Sequence, residues 1–263
     1  MKNLSFISVL LLLVQLCIAQ TIKNSLLKQH LKGKVKRVES SSYTGDAHSG
    51  TVDTLAPASK VISLFDEKGN EVEENYIDKV DKKVTKWIWK YNEKNENTEE
   101  DYFEDTGVLS ATTFFKYDAK GNLAESDHNF IADKTNNNKT FYKYDDKDNN
   151  VEEDAYAGDG ALKYKNIYKY DTRGNKLEMD YWHANEDTIR VKWTFDYNDA
   201  GLRVKEDRYS SRGELQIENL LTYENMDNSG NWLLETRRSQ GKNKEYARIF
   251  TYSVTKQKIY YHH

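Results

Sequence analysis

The sequence predicts an all-β protein in which tandem β-hairpins form one long, twisted antiparallel meander. Three observations lead to this prediction: a repeat of about 26 residues, a turn signature inside each repeat, and alternation of aromatic and charged residues before each turn. Because strands twist and long sheets rarely stay flat, we expect the meander to curl into an open roll, with a closed barrel as the alternative.

The repeat is marked by an aromatic residue followed by Asp, Asn or Glu. Seven such pairs are separated by 26, 26, 27, 26, 27 and 26 residues. A spacing this regular is typical of a repeat architecture. The pairs are Phe65-Asp66, Tyr91-Asn92, Tyr117-Asp118, Tyr144-Asp145, Tyr170-Asp171, Tyr197-Asn198 and Tyr223-Glu224.

Each pair is followed by a turn signature. The fourth residue after the aromatic is Gly, Asn or Asp in six units, which is what a left-handed backbone position selects. The pattern predicts a hairpin with a type I turn closed by a residue at positive φ. In the seventh unit three extra residues separate Tyr223 from Gly230-Asn231, so we predict a longer or bulged hairpin there. The six turn residues are Gly69, Asn95, Gly121, Asp148, Gly174 and Gly201.

The residues before each turn alternate between two faces. Trp87, Trp89 and Tyr91 share one face, and Lys90 lies on the other. This period of two is typical of a half-buried strand, so the aromatic face is the predicted core. The same aromatic face continues in Tyr142 with Tyr144, Tyr168 with Tyr170, and Trp193 with Phe195 and Tyr197, and the lysine face in Lys116, Lys143 and Lys169.

A second strand follows each turn and carries a column of glutamates. A second tight turn, as at Asp105–Leu109, then leads to the next unit. Seven hairpins predict about fourteen strands, to which we add a strand near Gly33–Tyr43 and one near Arg248–Tyr252. A short helix is expected at Ile22–Leu31 and a loop at Thr44–Ser59. The glutamates are Glu73, Glu99, Glu125, Glu152 and Glu178.

The first 19 residues have the pattern of a secretory signal peptide: Lys2, a short apolar run, and small residues three and one positions before Gln20. We therefore divide the chain into a signal peptide (1–19), an N-terminal segment (20–59) and a repeat domain (60–263), and expect an exported protein of the periplasm or cell surface. Leu16 before Cys17 disfavours lipidation. Cys17 is the only cysteine, so the mature chain is expected to have neither a disulfide nor a cysteine metal site.

Composition excludes several classes of protein. The net charge of −4 becomes −5 when Lys2 is lost, which argues against a nucleic-acid surface. Aromatic residues make up 13% of the chain, which argues against disorder. No second apolar stretch approaches membrane-spanning length, and the lysine and glutamate columns argue against the apolar outer belt of an outer-membrane barrel.

The recurring Lys-Tyr-Asp-x-x-Gly-Asn-x-x-Glu, clearest at Lys116–Glu125 and Lys169–Glu178, resembles the YD repeat of the RHS family. The resemblance covers about Lys60 to Glu235, and Lys32–Val38 is similar to the start of small secreted Bacteroidetes-type proteins with such repeats. It implies a long antiparallel sheet, which in large RHS proteins curls into a shell around a toxin. The chain is too short for that shell. A similarity to MORN-type hairpins implies interaction surfaces.

The glutamate column raises the possibility of a glycosidase, which uses a pair of carboxylates. A repeated carboxylate opposite a repeated lysine is also typical of a solvated sheet face. We favour the solvated face, because a catalytic pair tends to break repeat symmetry and these glutamates follow it.

Asp146, Asp148 and Asn150 have the alternate spacing of a calcium loop, but Val151 stands where that loop needs glycine. We favour an ordinary hairpin turn there. The histidines His30, His48, His128 and His183 are scattered, with no metal spacing and no catalytic motif nearby. The sequence therefore predicts no catalytic, metal-binding or cofactor-binding residue.

The aromatic ladder is either a carbohydrate platform or the core, and we favour the core. Trp182 and Trp232 fall outside the buried column and are predicted to be the most exposed rings. We expect a non-catalytic binding or structural scaffold, with a protein or glycan of the cell envelope as its partner. A carbohydrate-binding module or glycan-active hydrolase is one alternative. A partner or immunity protein of an exported effector is another, which the family resemblance implies.

Overall fold

The computed structural model describes residue 25 and residues 29–46, 51–52, 56–184, 189–246 and 250–262. The predicted signal peptide and most of the predicted helix at 22–31 lie outside the described residues. Within them the chain forms β-strands joined by short turns, with one 3-10 turn at Lys134–Asn136. The all-β prediction is confirmed.

The strands follow the predicted hairpins. Those of the seven repeat units are β3 to β16, with β1 and β17 at the two ends, and a short β2 falls in the predicted loop at 44–59. The strands are β1 (Val35–Asp46), β2 (Thr51–Val52), β3 (Ser59–Phe65), β4 (Glu71–Asp78), β5 (Lys83–Tyr91), β6 (Asn97–Phe103), β7 (Leu109–Tyr117), β8 (Leu123–Phe130), β9 (Asn138–Tyr144), β10 (Asn150–Ala157), β11 (Leu162–Tyr170), β12 (Lys176–His183), β13 (Val191–Tyr197), β14 (Arg203–Ser210), β15 (Leu215–Met226), β16 (Trp232–Gly241) and β17 (Phe250–Tyr261).

The sheet closes into a barrel of sixteen antiparallel strands. Each strand from β3 to β17 pairs with the next, and β1 pairs with both β17 and β3. Of the two shapes that the sequence left open, the chain adopts the closed barrel. The terminal strands are longer than predicted, because β1 continues to Asp46 and β17 to Tyr261.

One end of the barrel, the first rim, is formed by the turns of the repeat signature. In the fifth turn Asp171 Oδ1 accepts hydrogen bonds from the backbone N–H groups of Arg173 and Asn175, both at 2.8 Å. Asp171 Oδ2 accepts from the Asn175 amide at 2.8 Å, and Gly174 has a φ of 83°. These bonds explain why the signature requires Asp, Gly and Asn. The opposite end, the second rim, is formed by the turns after β4, β6, β8, β10, β12, β14 and β16.

The seventh hairpin is longer, as predicted, but its turn is not irregular. The same bonds occur three residues further on, where Asp227 Oδ1 accepts from the backbone N–H of Asn231 at 2.9 Å. Strand β15 has 12 residues, and this greater length accommodates the three extra residues of the seventh unit. The pair Tyr223-Glu224 therefore marks the repeat but not the turn.

The aromatic column faces the inside of the barrel, as predicted. Its tyrosine hydroxyls donate to backbone carbonyls of the preceding hairpin, such as Tyr91 to Glu71 at 2.8 Å and Tyr170 to Asn150 at 2.7 Å. A compact apolar cluster of Leu31, Val35, Val38 and Phe65 lies where β1 meets β3. Elsewhere the inward face also carries buried polar side chains, such as Ser126, Glu153 and Glu206.

The outer face carries the predicted lattice of lysines and carboxylates. Lys143 contacts Glu152 and lies 3.2 Å from Asp154, and Lys165 lies 3.0 Å from Glu152. The side chains of Lys90, Lys116, Lys143 and Lys169 are 54 to 64% exposed. Between these charges runs one row of mostly apolar residues, which consists of Ile62, Ile88, Phe114, Phe141, Ile167, Thr194 and Leu220.

Candidate functional site

The lumen of the barrel brings together a second column of carboxylates that the sequence analysis missed. Side chains alternate along a strand, so the residue after each outer glutamate faces inward. The signal was the recurring double glutamate, as in Glu73-Glu74, Glu99-Glu100 and Glu152-Glu153. The inner column consists of Glu74, Glu100, Ser126, Glu153, Met179, Glu206 and Glu235.

On one side of the lumen, Glu74 and Glu100 lie among tryptophan rings. The Trp89 indole N–H donates to Glu100 Oε2 at 2.8 Å, and Ser63 Oγ donates to Glu74 Oε2 at 3.3 Å. Burial raises the pKa of both carboxyls, and the charge of Glu100 raises the pKa of Glu74 further. Trp87 packs against Tyr102 with 5.0 Å between ring centroids. This wall therefore presents two carboxyls that protonate easily beside flat apolar surfaces.

Glu153, also in the inner column, is buried and hydrogen-bonded through both of its carboxylate oxygens. It accepts hydrogen bonds from the Tyr168 hydroxyl and the Asn150 amide, both at 2.7 Å. The ammonium of Lys176 lies 3.6 Å from the centroid of the Tyr168 ring. These contacts hold the side chains of Glu153, Tyr168 and Lys176 in place on the inner wall.

On the other side of the lumen, arginines face the carboxylates. Glu206 is 4% exposed and lies 2.9 Å from Arg203 and 2.8 Å from Arg237. Burial raises the pKa of Glu235 although the charge of Arg237 opposes that shift. The Arg208 guanidinium lies 5.9 Å from the Trp193 ring. The lumen thus has an acidic wall and a wall of paired charges.

The segment before β1 crosses the first rim. Gln29 Nε2 donates to Glu71 Oε2 at 2.7 Å, and Ser25 Oγ accepts from the Glu71 backbone N–H at 3.0 Å. The Lys32 backbone N–H donates to Asn231 Oδ1 at 2.7 Å, on the turn between β15 and β16. The segment therefore bridges two separate parts of this rim.

The outer glutamates that the sequence singled out lie in ion pairs or hydrogen bonds on the outer face. Burial acts to raise the pKa of Glu152, but bonds to Lys143 and Lys165 lower it to about 2. Glu73 accepts from the Asn75 amide at 2.7 Å. These positions agree with the solvated-face interpretation.

The calcium-like residues belong to the fourth turn of the first rim. Asp148 has a φ of 60° and accepts from the Asn122 amide at 3.1 Å. Asn150 is buried and donates to Glu153. In the part of the chain that the structure describes, no group of three or more His, Cys, Asp or Glu side chains could hold a metal ion.

The histidines remain apart, and His48 lies outside the described residues. His128 faces the lumen, where its Nδ1 lies 2.6 Å from Thr113 Oγ1 and burial lowers its pKa. Burial also lowers the pKa of His30 at the first rim, and the charge of Arg203 lowers it further. His183 is exposed at the second rim.

Trp182 and Trp232 are half-buried, so the prediction that they are the most exposed rings is wrong. Trp232 packs against Tyr223 with 5.5 Å between centroids. Phe114 and Phe141 are more exposed, at 46% and 41%, because they belong to the outer apolar row.

The raised pKa of Glu100 predicts how stability changes with pH. The folded protein holds this proton more tightly than the unfolded chain, so the stabilisation is complete below the ordinary value of 4.5 and is lost as the pH rises through the folded-state pKa. We expect Glu100→Gln to raise the Tm at about pH 7.5 and to change it little at about pH 4, as measured by thermal unfolding.

Glu125 provides the control of opposite sign. Bonds to Lys116 and Lys139 lower its pKa, so its stabilisation is present above 4.5 and is lost as the pH falls through the lowered value. Glu125→Gln should therefore lower the Tm at about pH 7.5. If Glu100→Gln also lowered it, the inner carboxyl would not be destabilised by burial.

Comparison with known proteins supports the fold. No family model matches the sequence, and no curated protein matches it. A crystal structure of a porin-like protein from Bacteroides uniformis is similar, with a TM-score of 0.55 and 11% identity over 87% of this chain and 98% of that one. A crystal structure of TcdB2-TccC3-Cdc42 gives a TM-score of 0.34 at 12% identity, over 75% of this chain and 11% of that one. No helix among the described residues has the length and apolar character needed to cross a membrane.

Proposed function

We propose that this protein is a non-catalytic binding protein of the cell envelope, and that the inner wall of the barrel is its ligand-binding surface. The observation that carries this proposal is the composition of that wall. Trp87, Trp89 and Trp193 alternate there with carboxylates, amides and hydroxyls on a concave surface. Porins with a similar number of strands leave space inside that side chains do not fill, and the proposal assumes the same for this barrel of sixteen strands.

The chemistry of the wall favours a polyhydroxylated ligand, and we propose a glycan. Flat rings such as Trp89 offer surfaces for the apolar faces of sugars, and the half-buried carboxyls of Glu74 and Glu100 offer partners for hydroxyl groups. In this proposal the ligand enters at the second rim, because the segment before β1 is bonded to the first rim through Gln29 and Lys32.

The outer face supports a location in water rather than in lipid. A row of apolar residues such as Phe141 is flanked by charged rows two residues away on each side, at about 7 Å along the strand. A transmembrane barrel needs an apolar band about 25 Å tall. Together with the predicted signal peptide, this charged wall favours the periplasm or the cell surface.

The test is calorimetric titration of the purified protein with cello-, xylo-, malto- and chito-oligosaccharides. We expect at least one series to bind, and we expect Trp89→Ala to weaken that binding by at least about tenfold. Trp182→Ala is the matched control, because Trp182 lies on the outer face and should leave the affinity unchanged. Absence of binding by all four series, or equal effects of the two variants, would contradict the proposal.

A glycan-active hydrolase is the second candidate, and one observation favours it. Glu74 and Glu100 are half-buried, inward-facing carboxyls whose charges interact, as those of the acid and the nucleophile of a glycosidase do. Hydrolysis would release new reducing ends from the bound oligosaccharide, and both Glu74→Gln and Glu100→Gln would abolish that release. Binding without release by the unmodified protein would favour the non-catalytic proposal.

A further inference from the structure

The outer face near the second rim carries an aromatic row, in which four of six positions hold rings and only one, in the third unit, lacks a large apolar side chain. The row lies twelve residues after the repeat aromatic, and it faces outward because Phe103 is opposite Lys86 and Trp182 is opposite Lys165. In the third unit this position is Asn129, so a ring is missing there. The complete row is Ile77, Phe103, Asn129, Tyr156, Trp182 and Tyr209.

A cavity of about 440 Å³ lies at this gap. Phe141 and Tyr156 line it, with ring centroids 5.8 Å apart and planes at 75°. Phe141 is 41% exposed. The loop that carries the 3-10 turn Lys134–Asn136 forms one side through Asn137. The volume is within the range of about 300–1,000 Å³ that is usual for small-molecule pockets.

The polar groups of the cavity are held in place by one another. The Asn137 amide donates to Asn129 Oδ1 at 3.1 Å, and the Asn129 amide donates to Asp127 Oδ1 at 3.3 Å. Lys139 Nζ lies 3.4 Å from Asp127 Oδ2. The cavity therefore offers amide and carboxylate oxygens, N–H donors and a compensated charge pair around a flat ring.

We propose that this cavity is a binding site for one pyranose ring of a neutral glycan, stacked on Phe141. A ring-shaped ligand replaces the side chain that is missing from the aromatic row. The amides of Asn129 and Asn137 already bond within the protein, and each of their side-chain oxygens has a second lone pair that can accept a hydrogen bond from a sugar hydroxyl. A charged ligand gains little, because Lys139 is already held by Glu125 at 3.0 Å and Asp127 at 3.4 Å. The site is separate from the lumen and does not depend on it.

The test uses methyl glycosides of glucose, galactose, mannose and N-acetylglucosamine with the full protein. Saturation-transfer NMR should detect at least one of them, and titration should give its Kd. Asn129→Tyr restores the ring that the fourth unit has at this position, so we expect it to fill the cavity, keep the Tm and abolish binding. Phe141→Ala should weaken binding by at least about tenfold.

The control is Phe114→Ala, which removes an equally exposed ring from the same outer row one hairpin earlier and should leave the Kd unchanged. Trp89→Ala in the lumen should also leave it unchanged. The proposal is overturned if no methyl glycoside binds or if Asn129→Tyr binds normally. It is equally overturned if Trp89→Ala abolishes the signal, since the sugar would then occupy the lumen.

Discussion

Replacing Glu206 with alanine is expected to lower the free energy of unfolding by about 3–5 kcal/mol. Glu206 is 4% exposed and is the shared partner of Arg203 and Arg237, whose side chains are themselves only 26% and 25% exposed. Its removal leaves two neighbouring guanidinium groups facing each other in the lumen without the charge that lies between them. Urea denaturation at neutral pH measures the loss.

Glu214→Ala is the matched control for this measurement. Glu214 lies in an exposed turn of the second rim, where a surface substitution changes stability by about 0.5 kcal/mol or less. A loss for Glu206→Ala no larger than that of the control would mean that water screens the lumen arginines as well as it screens surface charges.

Phe65→Ala is expected to cost about 3–5 kcal/mol for a different reason. Phe65 is 4% exposed and packs with Leu31, Val35 and Val38 at the junction of β1 and β3. The truncation opens a cavity in a compact apolar cluster whose other members are at most 6% exposed. The same urea denaturation measures this loss.

Phe114→Ala removes the same ring from the outer face, where 46% of the residue is already exposed. Its cost should be below about 1 kcal/mol, because little apolar surface returns to water. Equal costs at the two positions would show that the junction of β1 and β3 contributes no more to stability than the outer row.

The hairpins could be predicted from the sequence because their determinants are local. The first Asp or Asn of each turn accepts a hydrogen bond from within the same turn, as Asp171 does from Asn175, so the pattern is visible repeat after repeat. Barrel closure could not be predicted in this way. It depends on the pairing of β1 with β17, in which Val35 lies opposite Tyr261, and no local pattern encodes a partner at that distance.

The residues of the candidate sites were harder to predict than the hairpins, because the most regular column of carboxylates lies on the outer face of the barrel. The outer glutamates recur in five consecutive units, so the sequence reveals them as a column. The inner column is interrupted by residues such as Ser126 and Met179, so the sequence does not reveal it. The cavity near Phe141 depends on a single departure, Asn129, in a row that is recognisable only when residues are sorted by barrel face. Trp182 was predicted to be more exposed than it is, because the sequence alone did not assign it to the aromatic row on the outer face.

The position of β1 sets the order in which the barrel can assemble. Strand β1 is synthesised long before β17, so the pairing of the two must wait until Phe250–Tyr261 has been made. Hairpins form within microseconds, but joining segments so far apart in the chain is slow. We therefore expect a late folding intermediate that is a curved, still open sheet. Its two unpaired edges can pair with each other, which closes the barrel, or with the edges of a second molecule.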